Sequence, residues 1–314
     1  MSAFNIFQEA DFTEPWDFEE IHVSPSEDVA HAELKILAQK YNLHTLTVED
    51  CVHRNQRSKF EAYPNYLFVV WHYFNEKSET PLELHFVFGR KHILLIHNGA
   101  SPKGCPWRET FFGAEGELPS YTQSIRRIFD VIVDDASGYL DVLTDRVSGL
   151  EDSILSLSAK PGDILSFKRR ALELDRCLST GLPIMTHLIE HLHISLDEKF
   201  QFRNINDHLT RMQENVGHLR FQLVSLLDVY WGATGERTNQ HIKRLTTIAT
   251  LFIPVSLWGS IFGMNFEFMP FKEVWFFWAG MGVMFLNFLL VLLYLFRSGL
   301  LHFKREQNKL TLRD

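Results

Sequence analysis

The chain has 314 residues, of which 46% are hydrophobic and 22% are charged, and this composition excludes a wholly disordered protein. Its net charge of −8 argues against a nucleic-acid-binding protein that works through a basic surface. The three cysteines lie far apart and form no paired metal motif, which excludes a disulfide scaffold and fits a reducing compartment.

The first 120 residues predict a mixed α/β domain. Residues 28–41 and 45–53 have helical patterns. Three runs rich in β-branched and aromatic residues, bounded by turn residues, predict strands: 67–73, 84–89 and 92–98. Segment 99–119 begins with glycines and prolines and predicts a loop.

Residues 121–204 predict a helical hairpin. Apolar residues of its first helix alternate spacings of four and three, the pattern of a coiled-coil seam: Ala136, Leu140, Leu143, Val147, Leu150, Ile154 and Leu157. Four aspartates follow the opposite face: Asp134, Asp141, Asp145 and Asp152. Pro161-Gly162 ends this helix, and a second helix is predicted to return over 163–196.

A second seam predicts a long stalk helix. Its members repeat the same alternation: Ile205, Leu209, Met212, Val216, Leu219, Leu223, Leu226 and Tyr230. No proline interrupts 205–253, so one helix is predicted over 205–262, and at 1.5 Å per residue it would be about 87 Å long. Gly232 and Gly235 are the predicted positions for a bend.

Two uncharged stretches near the C-terminus are long enough to cross a bilayer: 245–266 and 274–296. Lys243 and Arg244 precede the first stretch and the tail 297–314 is basic, whereas the loop 263–273 holds one lysine. By the positive-inside rule, both termini face the cytoplasm and the loop faces out. The N-terminus has no signal-peptide pattern, so a large cytoplasmic part with a membrane hairpin is expected, in a bacterial-type plasma membrane.

The most informative motif, Gly263-Met264-Asn265, stands at the end of the first span. In this position it resembles the signature of the CorA family of divalent-cation (magnesium/cobalt) channels. Further similarity to this family lies in the first domain and in the stalk: Thr47-Val48-Glu49-Asp50, Lys59, Glu61, Tyr63, Tyr66-Leu67-Phe68, Asp228-Val229-Tyr230 and 245–254.

The resemblance implies an α+β cytoplasmic domain, a long stalk helix and two transmembrane helices per chain, assembled as a homopentameric channel. It implies Mg²⁺ influx driven by the membrane potential, with Co²⁺ and Ni²⁺ as secondary ions. Gly263, Met264, Asn265 and Glu267 would form the ion-capture loop. Because Mg²⁺ is reluctant to dehydrate, a ring of uncharged Asn265 amides suits its water shell. A role as a helix C-cap is the alternative for Asn265.

The same resemblance predicts which face of the first span lines the pore. Counting back from the loop in steps of three and four residues gives positions on one side of the helix: Ser260, Ser256, Ile253, Ala249, Thr246 or Leu245, Ile242 and Asn239. Asp228 lies at the cytoplasmic end of the same side. The serines would contact hydration water, and the large apolar side chains would form a constriction that gates by dewetting. An ordinary helix-packing face is the alternative.

Two further sets of side chains, one acidic and one of histidines, are candidate metal sites. The four aspartates and Asp207 would bind intracellular Mg²⁺ and favour a closed state, as the family resemblance suggests, and a solvated helix face is the alternative. His187 and His191 lie one helical turn apart and are the best indication of Zn²⁺. They keep open a rival function, a ZntB-like zinc transporter coupled to protons, although Met264 favours magnesium.

No enzyme motif is found in the sequence, whether Walker A, GxSxG, HExxH or a glycine-rich dinucleotide loop. We therefore expect no catalysis and no nucleotide partner; the expected partners are further copies of the chain and the lipid bilayer. A membrane-anchored sensor that conducts nothing is the remaining alternative, and the polar residues and Pro254 of the first span argue against it.

Overall fold

The computed structural model describes residues 15–24, 27–53, 56–76, 80–99, 101–113, 118–156, 158, 160–192, 194–264, 270 and 273–297. The chain divides into two compact units, Met1–Asp228 and Val229–Asp314.

The first unit contains a five-stranded mixed sheet. Its strands are β1 (Asp17–His22), β2 (Lys59–Ala62), β3 (Tyr66–Tyr73), β4 (Leu82–Gly89) and β5 (His92–His97). The order across the sheet is β1-β5-β4-β3-β2; β1 runs parallel to β5, and all other neighbours are antiparallel. The three predicted strands are confirmed as β3, β4 and β5, the three central strands, whose almost wholly buried residues gave the clearest sequence pattern.

Helices cover both faces of this sheet. On one face, α1 (Glu27–Tyr41) and α2 (Thr45–Val52) pack on Phe68 and Val70, which confirms both predicted helices. On the other face lie α3 (Trp107–Phe112), α4 (Tyr121–Leu155) and α5 (Pro161–His191). Trp71 contacts Phe129 of α4 with ring centroids 5.2 Å apart. It also fits against Gly181 of α5, where a Cβ would lie 3.1 Å from the indole Cζ2.

Three elements were not predicted: β1, β2 and α3. The expectation of a loop throughout 99–119 was wrong at α3, where Glu20 Oε2 of β1 accepts a hydrogen bond of 2.9 Å from the backbone N–H of Trp107. Trp107 and Phe111 are buried, and Trp107 contacts Tyr73 with ring centroids 5.0 Å apart. Tertiary packing therefore stabilises a six-residue helix that has little local sequence pattern.

Helix α6 (Leu196–Phe262) begins nine residues before the predicted start at 205 and continues through Gly232 and Gly235 without interruption. Its start follows a capping box that the seam-based prediction missed. The Ser195 backbone N–H donates to Glu198 Oε2 at 2.9 Å, and Ser195 Oγ accepts from the Glu198 N–H at 3.3 Å. The return helix α5 runs from Pro161 to His191 and not from 163 to 196; Pro161 therefore starts this helix, and α4 already ends at Leu155.

The two predicted seams are largely buried in the first unit. Five members of the first seam are at most 5% exposed, while Leu150 is half-buried and Leu157 lies outside the described residues. Seven members of the second seam, from Ile205 to Leu226, are at most 4% exposed. The second unit consists of the rest of α6 and α7 (Val274–Arg297).

Candidate ion pathway

The residues predicted to line the pore are all exposed in the single chain. Ile242 is 56% exposed, Leu245 is 70% exposed and Ile253 is 63% exposed. The smaller or polar members belong to the same exposed class: Asp228, Asn239, Thr246, Ala249, Ser256 and Ser260. The structure therefore brings the predicted set together on an open face of one helix.

The opposite face of α6 is shielded within the second unit. Thr247 is buried, and further residues on this side are half-buried: Thr250, Leu251, Pro254, Val255, Trp258, Ile261 and Phe262. At 100° per residue, the centre of this face lies about 140° around the helix from the centre of the predicted pore face. The predicted pore face is thus the side of the first span that the hairpin leaves free.

Helix α7 presents a matching stripe that the sequence analysis missed. Its shielded residues recur every three or four positions: Phe276, Gly280, Met284, Asn287, Phe288, Val291 and Leu295. Phe262 contacts Phe276 with ring centroids 5.8 Å apart, so α7 packs on the shielded face of α6 at the end of α6 that leads into the loop. The spacing of four from Phe276 to Gly280 and on to Met284 was a sequence pattern from which this stripe was predictable.

The described part of the signature loop ends one residue before Asn265. The Gly263 N–H donates to the Gly259 carbonyl at 3.0 Å, and the Met264 N–H donates to the Ile261 carbonyl at 3.2 Å. Gly263 does not have a positive φ, so the chain does not use the left-handed conformations of glycine there. The predicted capture residues Asn265 and Glu267 lie outside the described residues.

The acidic stripe lies on an exposed face. Asp134, Asp141, Asp145 and Asp152 of α4 and Asp207 of α6 are all exposed. Along α4 only Asp141 and Asp145 are one turn apart, and the other neighbours are separated by seven residues, or about 10 Å. Within the described residues, no three His, Cys, Asp or Glu side chains converge to hold a metal ion, so one chain alone does not build this site.

One member of the stripe has a distinct electrostatic environment. Although Asp134 is exposed overall, partial desolvation raises the pKa of its carboxyl, and the neighbouring Asp130 raises it further. His208 of α6 and Lys103 act in the opposite direction. Asp134 of α4 therefore interacts electrostatically with His208 of α6.

The two histidines of α5 contact an aromatic ring of the sheet. Phe60 of β2 lies 5.7 Å from the His187 ring and 5.1 Å from the His191 ring, measured between centroids. His191 Nδ1 is 2.8 Å from the His187 carbonyl, and His187 Nδ1 is 3.4 Å from Glu190 Oε2. These contacts explain the pair by packing, and no third metal ligand joins it among the residues that the structure describes.

The family-like motif of the first domain forms one connected network. Lys59 Nζ lies 2.6 Å from Asp50 Oδ2 and 3.0 Å from Glu61 Oε1, and the Tyr63 hydroxyl donates to Glu61 at 2.8 Å. Burial alone would lower the pKa of Lys59, but hydrogen bonds to the two carboxylates outweigh it and raise that pKa. The network joins the end of α2 to β2, so these motif residues stabilise the domain.

The geometry defines a class of protein. The last helix of the α+β first unit, α6, has 67 residues and continues into the second unit, and two helices are long and apolar enough to cross a membrane. The open face of the first membrane helix carries polar residues. This is the architecture of a membrane protein with a stalk and a two-helix membrane hairpin.

A family model described as CorA-like Mg²⁺ transporter protein matches residues 25–302, and the chain belongs to this family of membrane transporters. The chain is 26% identical over 243 residues to a putative metal ion transporter, YfjQ, of Bacillus subtilis, with 76% of each chain covered. It is 27% identical over 240 residues to the cobalt/magnesium transport protein CorA of Thermotoga maritima, with 73% of this chain and 68% of the relative covered.

Solved structures share the fold. The CorA magnesium transporter from Methanocaldococcus jannaschii superposes with a TM-score of 0.72 at 17% identity, and 90% of each chain is covered. The ZntB cytoplasmic domain from Vibrio parahaemolyticus gives a TM-score of 0.56 at 13% identity, with 72% of this chain and 96% of that chain covered. The predicted fold class is therefore confirmed, and the function is established as far as divalent-cation transport.

Proposed function

We propose that five copies of this chain form a channel for Mg²⁺ influx, in which a ring of Asn265 amides captures the hydrated ion. The membrane potential supplies the driving force, since a divalent cation gains about 4.6 kcal/mol per 100 mV on moving inward. Both termini lie in the cytoplasm, as the charges around the spans indicate. Co²⁺ and Ni²⁺ are secondary ions in this proposal.

The observation that carries the proposal is the open face of α6. Ser256 and Ser260 are exposed on this face, within the uncharged stretch 245–266. Elsewhere on the helix, the Thr247 and Thr250 hydroxyls donate to carbonyls one turn back, each at 2.8 Å. The described residues provide no such bond for Ser256 or Ser260. Water in a pore would supply it.

Association of copies follows from the same geometry. Two helices cannot enclose a pore, so the open face must meet equivalent faces of other chains. Outside the membrane segment, Phe221 is 76% exposed and Val224 is 46% exposed, three residues apart on one side of α6. Neighbouring copies would bury this apolar surface. The acidic stripe of α4 would bind Mg²⁺ only in such an assembly, between copies, because one chain does not gather its carboxylates.

The test is cation uptake into proteoliposomes with an inside-negative potential, with Mg²⁺ and Zn²⁺ compared with and without a proton gradient. Voltage alone should drive Mg²⁺ entry. Asn265→Ala should abolish entry because the mouth loses its capture ring, whereas Asn215→Ala, at an exposed position of α6 in the first unit, should not. Normal uptake by Asn265→Ala would contradict the capture ring. Zn²⁺ entry that depends on protons would replace the proposal with the ZntB-like alternative.

A further inference from the structure

We propose that Phe262, Phe276 and Gly280 form a clamp that holds together the two helix ends from which the loop 263–273 extends, and that Gly280 thereby sets the affinity of the channel mouth for its hydrated ion. We call these three residues the aromatic clamp. The inference rests on the proposed function and adds positioning residues that lie outside the signature motif.

The clamp is built on close contact between a ring and a glycine. The Phe262 ring lies so near Gly280 that a Cβ there would be 2.7 Å from Cε2 and 3.0 Å from Cε1, and nearer still to Cζ. Phe262 also contacts Phe276 and Trp258, with ring centroids 5.8 Å and 6.2 Å away. The ring is therefore held on three sides, and only glycine at position 280 leaves room for it in this place.

Both ends of the loop meet at this contact. Phe262 is the last residue of α6, and the backbone N–H groups of Gly263 and Met264 donate hydrogen bonds to the preceding turn. At the other end, the Glu273 N–H donates to the Pro270 carbonyl at 3.0 Å, and the Phe276 N–H donates to the Glu273 carbonyl at 3.1 Å. The clamp therefore ties together the two points from which the loop extends.

A nearby glycine provides an internal comparison. A Cβ at Gly282, two residues further along α7, would meet nothing within 4 Å. Both glycines lie in the same helix, so an alanine at either position has the same intrinsic effect on helix propensity. Only at position 280 would the added methyl group force a neighbouring side chain to move.

Such a movement would act on ion capture. A binding group has to be held within roughly 0.5 Å of its productive position, and a supporting residue that shifts loosens the site. Phe262 would have to move away from Gly280, and it is separated from Asn265 by only two residues. In a pentamer every copy carries the same displacement, so the whole ring of amides would be affected. Conduction deeper in the pore uses other residues, so affinity should change more than the maximal rate.

The experiment measures Mg²⁺ uptake by proteoliposomes that contain the full chain, as Gly280→Ala or as Gly282→Ala. For Gly280→Ala the half-saturating Mg²⁺ concentration should rise roughly fivefold, with the maximal rate within about twofold of the parent chain. Gly282→Ala should match the parent chain in both quantities. Equal half-saturating concentrations for the two variants would overturn the clamp.

A second variant keeps the test valid if Gly280→Ala does not assemble. Phe262→Leu removes the ring without adding a clash and should also raise the half-saturating concentration. The double variant Phe262→Leu/Gly280→Ala should resemble Phe262→Leu alone, because the smaller side chain leaves space for the methyl group. Additive effects would contradict a shared clamp. If the parent chain transports Mg²⁺ and Asn265→Ala does not, a negative result with the clamp variants overturns this inference and leaves the proposed function standing.

Discussion

The apolar side chains in two stretches of the same helix, α6, differ in how they are covered. In the first unit, the seam of α6 from Ile205 to Leu226 is at most 4% exposed, covered by the protein's own chain. In the second unit, Leu245 and Ile253 of the same helix are 70% and 63% exposed. Both stretches carry apolar residues at three- and four-residue spacing.

The difference shows which apolar surface a single chain can bury by itself. The first unit buries this seam within its own chain, so the stability that the seam contributes is a property of the single chain. The second unit leaves most of its apolar surface open, and that surface requires lipid and further copies. The same helical periodicity therefore serves a core in one unit and an assembly in the other.

The largest expected effect contrasts two leucines of α6. Leu223→Ala should lower the free energy of unfolding of the first unit by about 3 kcal/mol, because Leu223 is fully buried and its removal leaves a cavity. Leu245→Ala should change that free energy by less than about 0.5 kcal/mol, because the side chain is exposed and lies outside that unit. Urea unfolding of the detergent-solubilised chain, followed by tryptophan fluorescence, measures both. Equal losses of unfolding free energy for the two variants would contradict the difference between the two stretches of α6.

A smaller effect concerns conduction through the second unit. Ile253→Ser should raise Mg²⁺ conductance in planar bilayers by about tenfold, because a hydroxyl group wets an apolar constriction. Phe252→Ser is the matched control, since residue 252 lies about 100° further around the helix. Phe252 is 57% exposed in the single chain, so exposure alone does not distinguish the two positions. A similar rise for both variants would mean that the predicted constriction is misplaced.

The smallest effect is a pH dependence that belongs to the first unit. Burial lowers the pKa of His72 from its ordinary value of 6.5, and His85 lowers it further, while Glu83 acts in the opposite direction. The unfolded chain therefore binds more protons below pH 6.5 than the folded chain, and the folded state loses stability as the pH falls. The loss per histidine is at most about 1.4 kcal/mol per pH unit.

Unfolding free energies at pH 7.5 and 5.5 test this dependence. His72→Asn should reduce the loss between the two pH values, because one group whose pKa is lowered by folding is removed. An unchanged loss in His72→Asn would assign the pH dependence to other groups, such as His92 and His97, whose pKa values burial also lowers.

The sequence predicted the elements that have strong periodicity. The central strands, both seams and both apolar spans follow spacings of two or of three and four, and each has its counterpart in the structure. Edge strand β1 and the short helix α3 escaped prediction because distant partners stabilise them, whereas β2 pairs with the adjacent strand β3 but has only four residues, too few for a clear pattern. Glu20, for example, accepts a hydrogen bond from Trp107, 87 positions away in the chain.

The candidate site was predictable in outline but not in its packing. Helical spacing placed the predicted pore residues on one face, which the structure leaves open. The shape of the hairpin depends on which residue faces which across two helices. The fit of Phe262 against Gly280 is of this kind, because a glycine in an apolar span has no sequence feature that identifies its neighbour.

Cysteine accessibility shows directly whether the open face of α6 lines a water-filled ion pathway. Ser256→Cys and Ile248→Cys would each be treated with a charged, water-soluble thiol reagent during Mg²⁺ uptake, with the parent chain as the baseline. Both positions are exposed in the single chain, but residue 248 lies about 120° around the helix from the centre of the predicted pore face, outside the range of angles that this face spans. The reagent should block uptake by Ser256→Cys and leave uptake by Ile248→Cys unchanged. Block of Ile248→Cys, or of neither variant, would contradict the assignment of the pore face.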